Sequence, residues 1–293
     1  VSDIDIATQL KPDGTLAALD RAGIRAVPTG IEHGTITAVV DGTPFEITSL
    51  RRDVETDGRR AVVAFTTSWD EDAQRRDFNM NALYADADGV LFDPTGQGLS
   101  DLAERRVAFI GDAEQRLRED HLRNLRFFRF SAWYGSGLDP VGLTACRAQR
   151  DGLGQIAAER IWTEMHKLLS APSPWATVKS MFETGVMEVV MPHAAWTDRA
   201  EGLVHLEMRR DVQTDAMQRL MALLEQAPDT AATVAERLRL SGKERSRLVD
   251  WAKSPWFIPE TFDELSLCKS LYPVARDTSV DCVLSDWSRN AHD

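Results

Sequence analysis

Two regimes of hydrophobic patterning divide this chain. Up to about Asp112, short runs alternating apolar and polar positions are punctuated by Gly turns; beyond it, apolar residues recur at helical spacing. The opening VSDIDIAT predicts a strand in which Asp3 and Asp5 share one face, while Ile4 and Ile6 point the other way into a core. DGTLAALDRAGI predicts a helix with Gly23 near its end. HGTITAVV and FEITSL flank Asp41-Gly42 and predict a hairpin; NALYADADGVLFDPTG repeats the pattern around Asp88-Gly89. The helical remainder is broken at SAPSPWA, VMPHAAW and KSPWFIPE. There is no internal repeat and no low-complexity tract. The expected class is α+β: a small mixed head, then an all-helical remainder.

Composition narrows this picture. The 293 residues suffice for two or three domains, and 43% hydrophobic with 27% charged residues is ordinary for a soluble globular protein. No apolar run reaches membrane-spanning length and no signal-peptide pattern opens the chain, so no membrane is expected; no obligate protein partner is evident. Cys146, Cys268 and Cys282 are odd in number, far apart and without metal-ligand spacing, which fits reduced core thiols in a cytoplasmic protein. A net charge of −12 counts against a non-specific nucleic-acid binder. It constrains the average and not a local patch.

Three clusters carry candidate chemistry. The first is Asp3, Asp5 and Glu46. Two neighbouring carboxylates repel unless something positive sits between them, and a divalent cation takes oxygen ligands. In FEITSL, Glu46 and Thr48 share a face; if that strand pairs beside the opening one, Glu46 joins the two aspartates. Three carboxylates would then hold two Mg²⁺, as two-metal nucleotidyl transfer requires. A solvated strand edge with unrelated acids is the ordinary alternative.

The second cluster is RRDFNMNAL. Arg75 and Arg76 suit phosphate oxygens, and Asp77 or Asn81 suits a ribose hydroxyl. A surface ion-pair cluster is the common alternative, and Phe78, Met80 and Leu83 read as core.

The third cluster is EDHLRNLRFFRF. Taken as one helix, it puts Asp120 three residues and Glu119 four residues before Arg123, with Arg126 continuing the stripe. Five arginines (Arg116, Arg118, Arg123, Arg126 and Arg129) stand there against Glu119 and Asp120, within a chain of net charge −12. Leu125, Phe127, Phe128 and Phe130 would bury one side. The alternative is an exposed ion pair worth a few tenths of a kcal/mol, roughly. A fixed Asp–Arg pair offers an acceptor beside a donor. That order matches the edges of cytosine and adenine and mismatches guanine and uracil, whose rejection would be strong.

In order and rough spacing, SDIDIAT, HGTIT, EITSLRRD, RRDFNMNALY, DPTGQGLSDL, EDHLRNLRFFRFSAWYG and AERIWTEMHKLL resemble the class II CCA-adding tRNA nucleotidyltransferases and their relatives, the bacterial poly(A) polymerases. The resemblance is strongest over residues 1–170. It implies a DNA polymerase β-type nucleotidyltransferase head at 1–110, a helical neck with the base-recognition helix at 111–170, and a helical, RNA-binding body and tail at 171–293. It implies that Asp3 and Asp5 bind catalytic Mg²⁺, with Glu46 as third carboxylate by strand position. Arg75, Arg76, Asp77 and Asn81 would take triphosphate and ribose; Glu119, Asp120, Arg123 and Arg126 would read the base; Arg160 would brace the template helix. The expected activity is addition of CCA to tRNA 3′ ends from CTP and ATP with release of pyrophosphate. The alternatives are a poly(A) polymerase, a CC- or A-adding enzyme, and a non-catalytic RNA- or nucleotide-binding protein. The family normally carries a Gly-Gly-x-x-Arg-Asp segment just before the D-x-D strand, and its absence here makes an N-terminally truncated chain the expectation.

The other signals are weaker. His33 would shape a turn before Gly34, His121 and His166 read as structural, and the eight Trp residues, Trp133 and Trp162 among them, read as core. The final AHD has no companion histidine cluster. LSGKERSRL, with Lys243, Arg245 and Arg247, is the best basic patch for an RNA backbone, against the alternative of a solvated helix end.

Overall fold

The computed structural model describes residues 4–57, 60–209, 212–254 and 276–289, with the backbone alone at 53–57, 60–63 and 276. Asp3, Cys268 and the AHD terminus therefore lie outside the described residues. The chain forms two compact units, 1–120 and 121–293.

The first unit is built on strands β1 (Asp5–Thr8), β2 (Arg25–Gly30), β3 (Thr35–Val40) and β4 (Thr43–Ser49), with helix α1 (Pro12–Arg21) between the first two. Their order in the sheet is β1-β4-β3-β2; β1 runs parallel to β4 and the other pairs are antiparallel. The β3–β4 hairpin forms where Asp41-Gly42 predicts it: both residues take positive φ, 50° and 78°, as the tight turn demands. Pro12 opens α1, where its missing N–H costs nothing. Leu19 of α1 packs with Ile36 and Ala38 of β3, and Leu16, Ile24, Ala26 and Ile47 close around them.

Ile4 and Ile6 do not enter that core; they are 52% and 40% exposed. The register explains it. Ile6, Ile47 and Ile36 align across β1, β4 and β3, but α1 packs chiefly over β2 and β3. Cover is complete at Ile36, partial at Ile47 and poor at the edge strand.

Beyond the sheet, β5 (Arg51–Asp57) pairs with β6 (Arg60–Phe65), followed by α2 (Trp69–Gln74). The short strands β7 (Tyr84–Ala85) and β8 (Leu91–Phe92) form the second predicted hairpin, with Gly89 at φ 81°. Helices α3 (Gly98–Glu104) and α4 (Ala113–Glu119) complete the unit.

The described second unit is helical: α5 (Leu122–Tyr134), α6 (Pro140–Ala148), α7 (Ala158–Leu169), α8 (Trp175–Glu183), α9 (Val186–Val190), α10 (Asp198–Met208), α11 (Ala216–Ala222), α12 (Pro228–Arg237), α13 (Gly242–Lys253) and α14 (Arg276–Arg289). Asp139 and Thr197 cap α6 and α10 through their side chains; Asp215 with Gln218 and Ser241 with Glu244 form capping boxes on α11 and α13. SAPSPWA separates α7 from α8, and VMPHAAW separates α9 from α10. Helix α5 packs on α7 and α8. Its Leu125, Phe127 and Phe128 are buried, as are Met165, Leu168 and Leu169 of α7, while Phe130 is half-buried.

Two further expectations differ from the fold. EDHLRNLRFFRF is not one helix: α4 stops at Glu119, Asp120 is extended at φ −149° and ψ 105°, and α5 begins at Leu122. Helical i,i+3 and i,i+4 spacing therefore does not run from Glu119 or Asp120 to Arg123. Trp133 is also exposed rather than core, with its indole N–H donating to the Lys167 carbonyl at 2.7 Å; Trp162 is buried. Cys146 and Cys282 are buried free thiols. No helix among the described residues is long and apolar enough to cross a membrane.

Candidate active site

The parallel pairing of β1 with β4 sets Asp5 directly beside Glu46, and Glu46 in turn beside Thr37 of β3. Residues in register across neighbouring strands share a sheet face, so Asp5 and Glu46 stand together opposite the Ile6–Ile47–Ile36 row. Both carboxylates are exposed. Among the described residues neither makes an ion pair or a side-chain hydrogen bond. Two adjacent, unneutralised hard-oxygen donors fit a divalent cation. No group of three potential ligands occurs among the described residues, and Asp3 lies outside them.

Just past β4 the chain meets the arginine cluster. Leu50 N–H donates to the Thr8 carbonyl at the end of β1, and the next amide, Arg51 N–H, donates to Asp72 Oδ1 at 3.0 Å. Asp72 sits on α2, which Ser68 caps through its side chain. Its carboxylate holds both arginines of the R-R-D triplet. Arg75 Nε and Nη2 reach Oδ1 at 3.1 and 3.0 Å; Arg76 Nη2 reaches Oδ2 at 3.1 Å. The Tyr84 hydroxyl donates to Oδ2 at 2.7 Å. Burial raises the Asp72 pKa, but Arg75, the Tyr84 hydroxyl, the Arg51 amide and Arg76 outweigh it and hold the carboxyl below the usual range. Burial, with Asp72 beside it, pushes the Tyr84 phenol up. Arg76 lies over the Tyr84 ring at 5.1 Å, and Trp69 meets that ring edge-on at 4.8 Å.

The same cluster brings Asp77 and Asn81 together: Asn81 Nδ2 donates to Asp77 Oδ1 at 3.0 Å, and the Asn81 carbonyl accepts from Arg76 Nη1 at 3.0 Å. Phe78 and Ala82 are fully buried beneath. On α4, Glu119 pairs with Arg116 at 2.9 Å, and Arg116 also donates to the Ile110 carbonyl. Arg118 pairs with Glu114 at 3.1 Å. Arg123 and Arg126 follow on α5 in the second unit, where Arg126 lies over the Phe130 ring at 5.3 Å. On α7, Arg160 is exposed, whereas Glu164 one turn on takes Arg129 of α5 in a buried ion pair of 2.5 Å.

The basic patch on α13 is smaller than expected. Arg247 is spent on Asp281, at 2.7 Å through two nitrogens, and on Asp215 at 2.6 Å. Lys243 and Arg245 remain exposed. His121 packs on Gly152, where an added Cβ would fall 2.2 Å from the imidazole, and His166 meets Trp162 edge-on at 5.4 Å. His33 is exposed before Gly34, which turns at φ 83°. Reading by motif passed over Asp72, Tyr84 and Glu164. Asp72 left a signal, at three and four residues before the arginines; Tyr84 and Glu164 left none outside the fold.

Residues 1–108 match the family described as Poly A polymerase head domain, and residues 138–197 match the one described as Probable RNA and SrmB- binding site of polymerase A. The mitochondrial CCA tRNA nucleotidyltransferase 1 of Danio rerio is 36% identical over 251 residues, covering 83% of this chain and 57% of that protein. The CCA-adding enzyme of Streptococcus pyogenes serotype M1 is 41% identical over 174 residues, covering 59% of this chain and 42% of that protein. The chain thus spans 42% to 57% of the length of these relatives. Among solved structures, the Bacillus stearothermophilus CCA-adding enzyme in complex with CTP matches at a TM-score of 0.78 and 26% identity, over 100% of this chain and 70% of that one. A tRNA nucleotidyltransferase complexed with a primer tRNA and an incoming ATP analog shares the fold at a TM-score of 0.73 and 18% identity, over 97% of this chain and 86% of that one.

Proposed function

We propose that this chain, which belongs to the tRNA nucleotidyltransferase and poly(A) polymerase family, is a template-independent RNA nucleotidyltransferase that adds CCA to tRNA 3′ ends from CTP and ATP and releases pyrophosphate. The observation that carries this reading is the register of β1 on β4, which stands Asp5 and Glu46 side by side on an open sheet face. These two carboxylates would hold Mg²⁺, with Asp3 joining them on the strength of the resemblance alone. Bound there, Mg²⁺ would lower the pKa of the attacking 3′-hydroxyl and stabilise charge at the α-phosphorus. Arg75 and Arg76 would fork onto the triphosphate oxygens, and Asp77 with Asn81 would take the ribose hydroxyls. We assign the reading of the base to Glu119, Asp120, Arg123 and Arg126. Such catalysis is positioning and charge stabilisation, with no covalent intermediate.

The proposed layout is a head at 1–110, a neck at 111–170 and an RNA-binding body and tail at 171–293. The match of residues 138–197 to an RNA-binding family region supports RNA contact across the end of the neck and the start of the body. The free, buried thiols of Cys146 and Cys282 fit a reducing compartment, of which the cytoplasm is the one proposed. A poly(A) polymerase is the second reading, favoured by the head-domain match itself.

The test is incorporation from CTP, ATP or both, with Mg²⁺, into tRNAs ending before CCA, after C and after CC. Ordered addition of C, C and A supports the first reading; runs of A support the second. Binding of tRNA without pyrophosphate release on any substrate would overturn both in favour of a non-catalytic binder.

A further inference from the structure

We propose that Asp72 is the positioning residue of the arginine pair, fixing Arg75 and Arg76 for the triphosphate before the nucleotide arrives; this rests on the function proposed above. The centre of the cluster is buried and its rim is open. The Asp72 side chain is 3% exposed, while Arg75 and Arg76 keep 19% and 33% of theirs. Two guanidiniums side by side repel each other, and the carboxylate between them both neutralises one charge and dictates where each fork lies. Three further sets of contacts serve the same end. Arg75 Nε also donates to the Arg51 carbonyl at 3.2 Å, which ties it to the chain leaving β4. Arg76 Nη1 reaches the Asn81 carbonyl, tying it to the residues assigned to the ribose. Tyr84 donates its hydroxyl to Asp72 and offers its ring to Arg76, so it supports the carboxylate and one arginine at once.

A buried ion pair is by itself weak evidence of stabilisation. A buried carboxylate that orders two partly exposed arginines does something else: it meets in advance the cost of immobilising two long side chains that phosphate binding would otherwise incur. A net positive charge of one remains on the trio, for the phosphates to take.

The experiment compares the chain with its Asp72→Asn variant in equilibrium binding of CTP and CMP and in steady-state CTP incorporation. Asn retains an acceptor for the Arg51 amide but loses the charge. The expected result is a rise of about tenfold in Kd and KM for CTP, with kcat within about threefold and CMP affinity unchanged. Unchanged CTP binding overturns the proposal. An equal loss for CTP and CMP overturns it too, since that marks general structural damage. Tighter CTP binding also overturns it, because Asp72 would then compete with the phosphates for the arginines. Should Asp72→Asn fail to fold, Tyr84→Phe removes one donor from the carboxylate at no change of charge. It is expected to raise the CTP KM about twofold at constant kcat, and no change in KM overturns the role. Failure of the unmodified chain to bind CTP or ATP overturns the proposed function and the role of Asp72 with it, and so is told apart from failure of Asp72 alone.

Discussion

Glu164→Gln tests whether α5, the helix proposed to read the base, is held to α7 by a buried ion pair. Arg129 Nε lies 2.5 Å from Glu164 Oε2, with the two side chains only 12% and 7% exposed. Removing one partner of a buried pair costs about 3–5 kcal/mol when the survivor is left uncompensated. Gln is milder, since it keeps the shape and an acceptor. Arg129 also stays over the Phe130 ring at 4.2 Å, which offers a second, weaker partner for its charge. What is lost is the charged part of one hydrogen bond, about 2 kcal/mol. For a unit of this size, each kcal/mol lowers Tm by about 2–4 °C, so a fall of about 4–8 °C is expected. Urea and thermal unfolding, followed by circular dichroism and by tryptophan fluorescence, read it; Trp133 on α5 and Trp162 on α7 report on the two helices that the pair joins. The Arg129→Met, Glu164→Leu double variant should recover at least half of the loss, because apolar replacements carry no desolvation penalty. A loss of under about 0.5 kcal/mol, as for an exposed pair, would refute the argument. So would a double variant as unstable as the sum of the singles.

Asp5→Ala should abolish incorporation while leaving tRNA binding largely intact; equal Mg²⁺-dependent activity would sink the carboxylate assignment. Arg123→Ala should relax the choice among CTP, ATP, GTP and UTP in single-nucleotide incorporation, and unchanged selectivity would remove α5 from base reading. Acid should weaken the helical unit through Glu244. Burial raises its pKa, but the Ser241 hydroxyl and amide and the Trp162 indole N–H outweigh that and hold the carboxyl below its usual value. A carboxyl depressed by folding contributes fully above its unfolded pKa, about 4.3, and loses that contribution as pH falls through the folded value. Tm measured from neutral pH into acid should therefore fall less steeply below about pH 4 in Glu244→Gln than in the parent; parallel curves would refute it.

What could be read from the chain, and what could not, divides by locality. The β3–β4 and β7–β8 hairpins were legible because Asp41-Gly42 and Asp88-Gly89 carry their own backbone instruction, positive φ at the turn. The neighbourhood of Asp5 and Glu46 was not, because it depends on a parallel pairing across some forty residues that no local signal announces. The exposure of Ile6 has the same origin: alternation gives its face correctly, but only the placement of α1 over β2 and β3 decides whether that face is covered. At Asp120 the charged spacing pointed to a continuous helix, and one extended residue cancelled it. The acid that orders the R-R-D triplet was visible as an i,i+3 and i,i+4 partner and was passed over because exposed pairs of that spacing count for little. Burial reverses that weight. An ion pair invisible in importance on a surface becomes, at 3% exposure of the carboxylate, the element that holds two arginines proposed to take phosphate. Sequence motifs therefore name the groups that touch substrate more readily than the groups that aim them, since the first need only the right chemistry at a local spacing and the second need the fold.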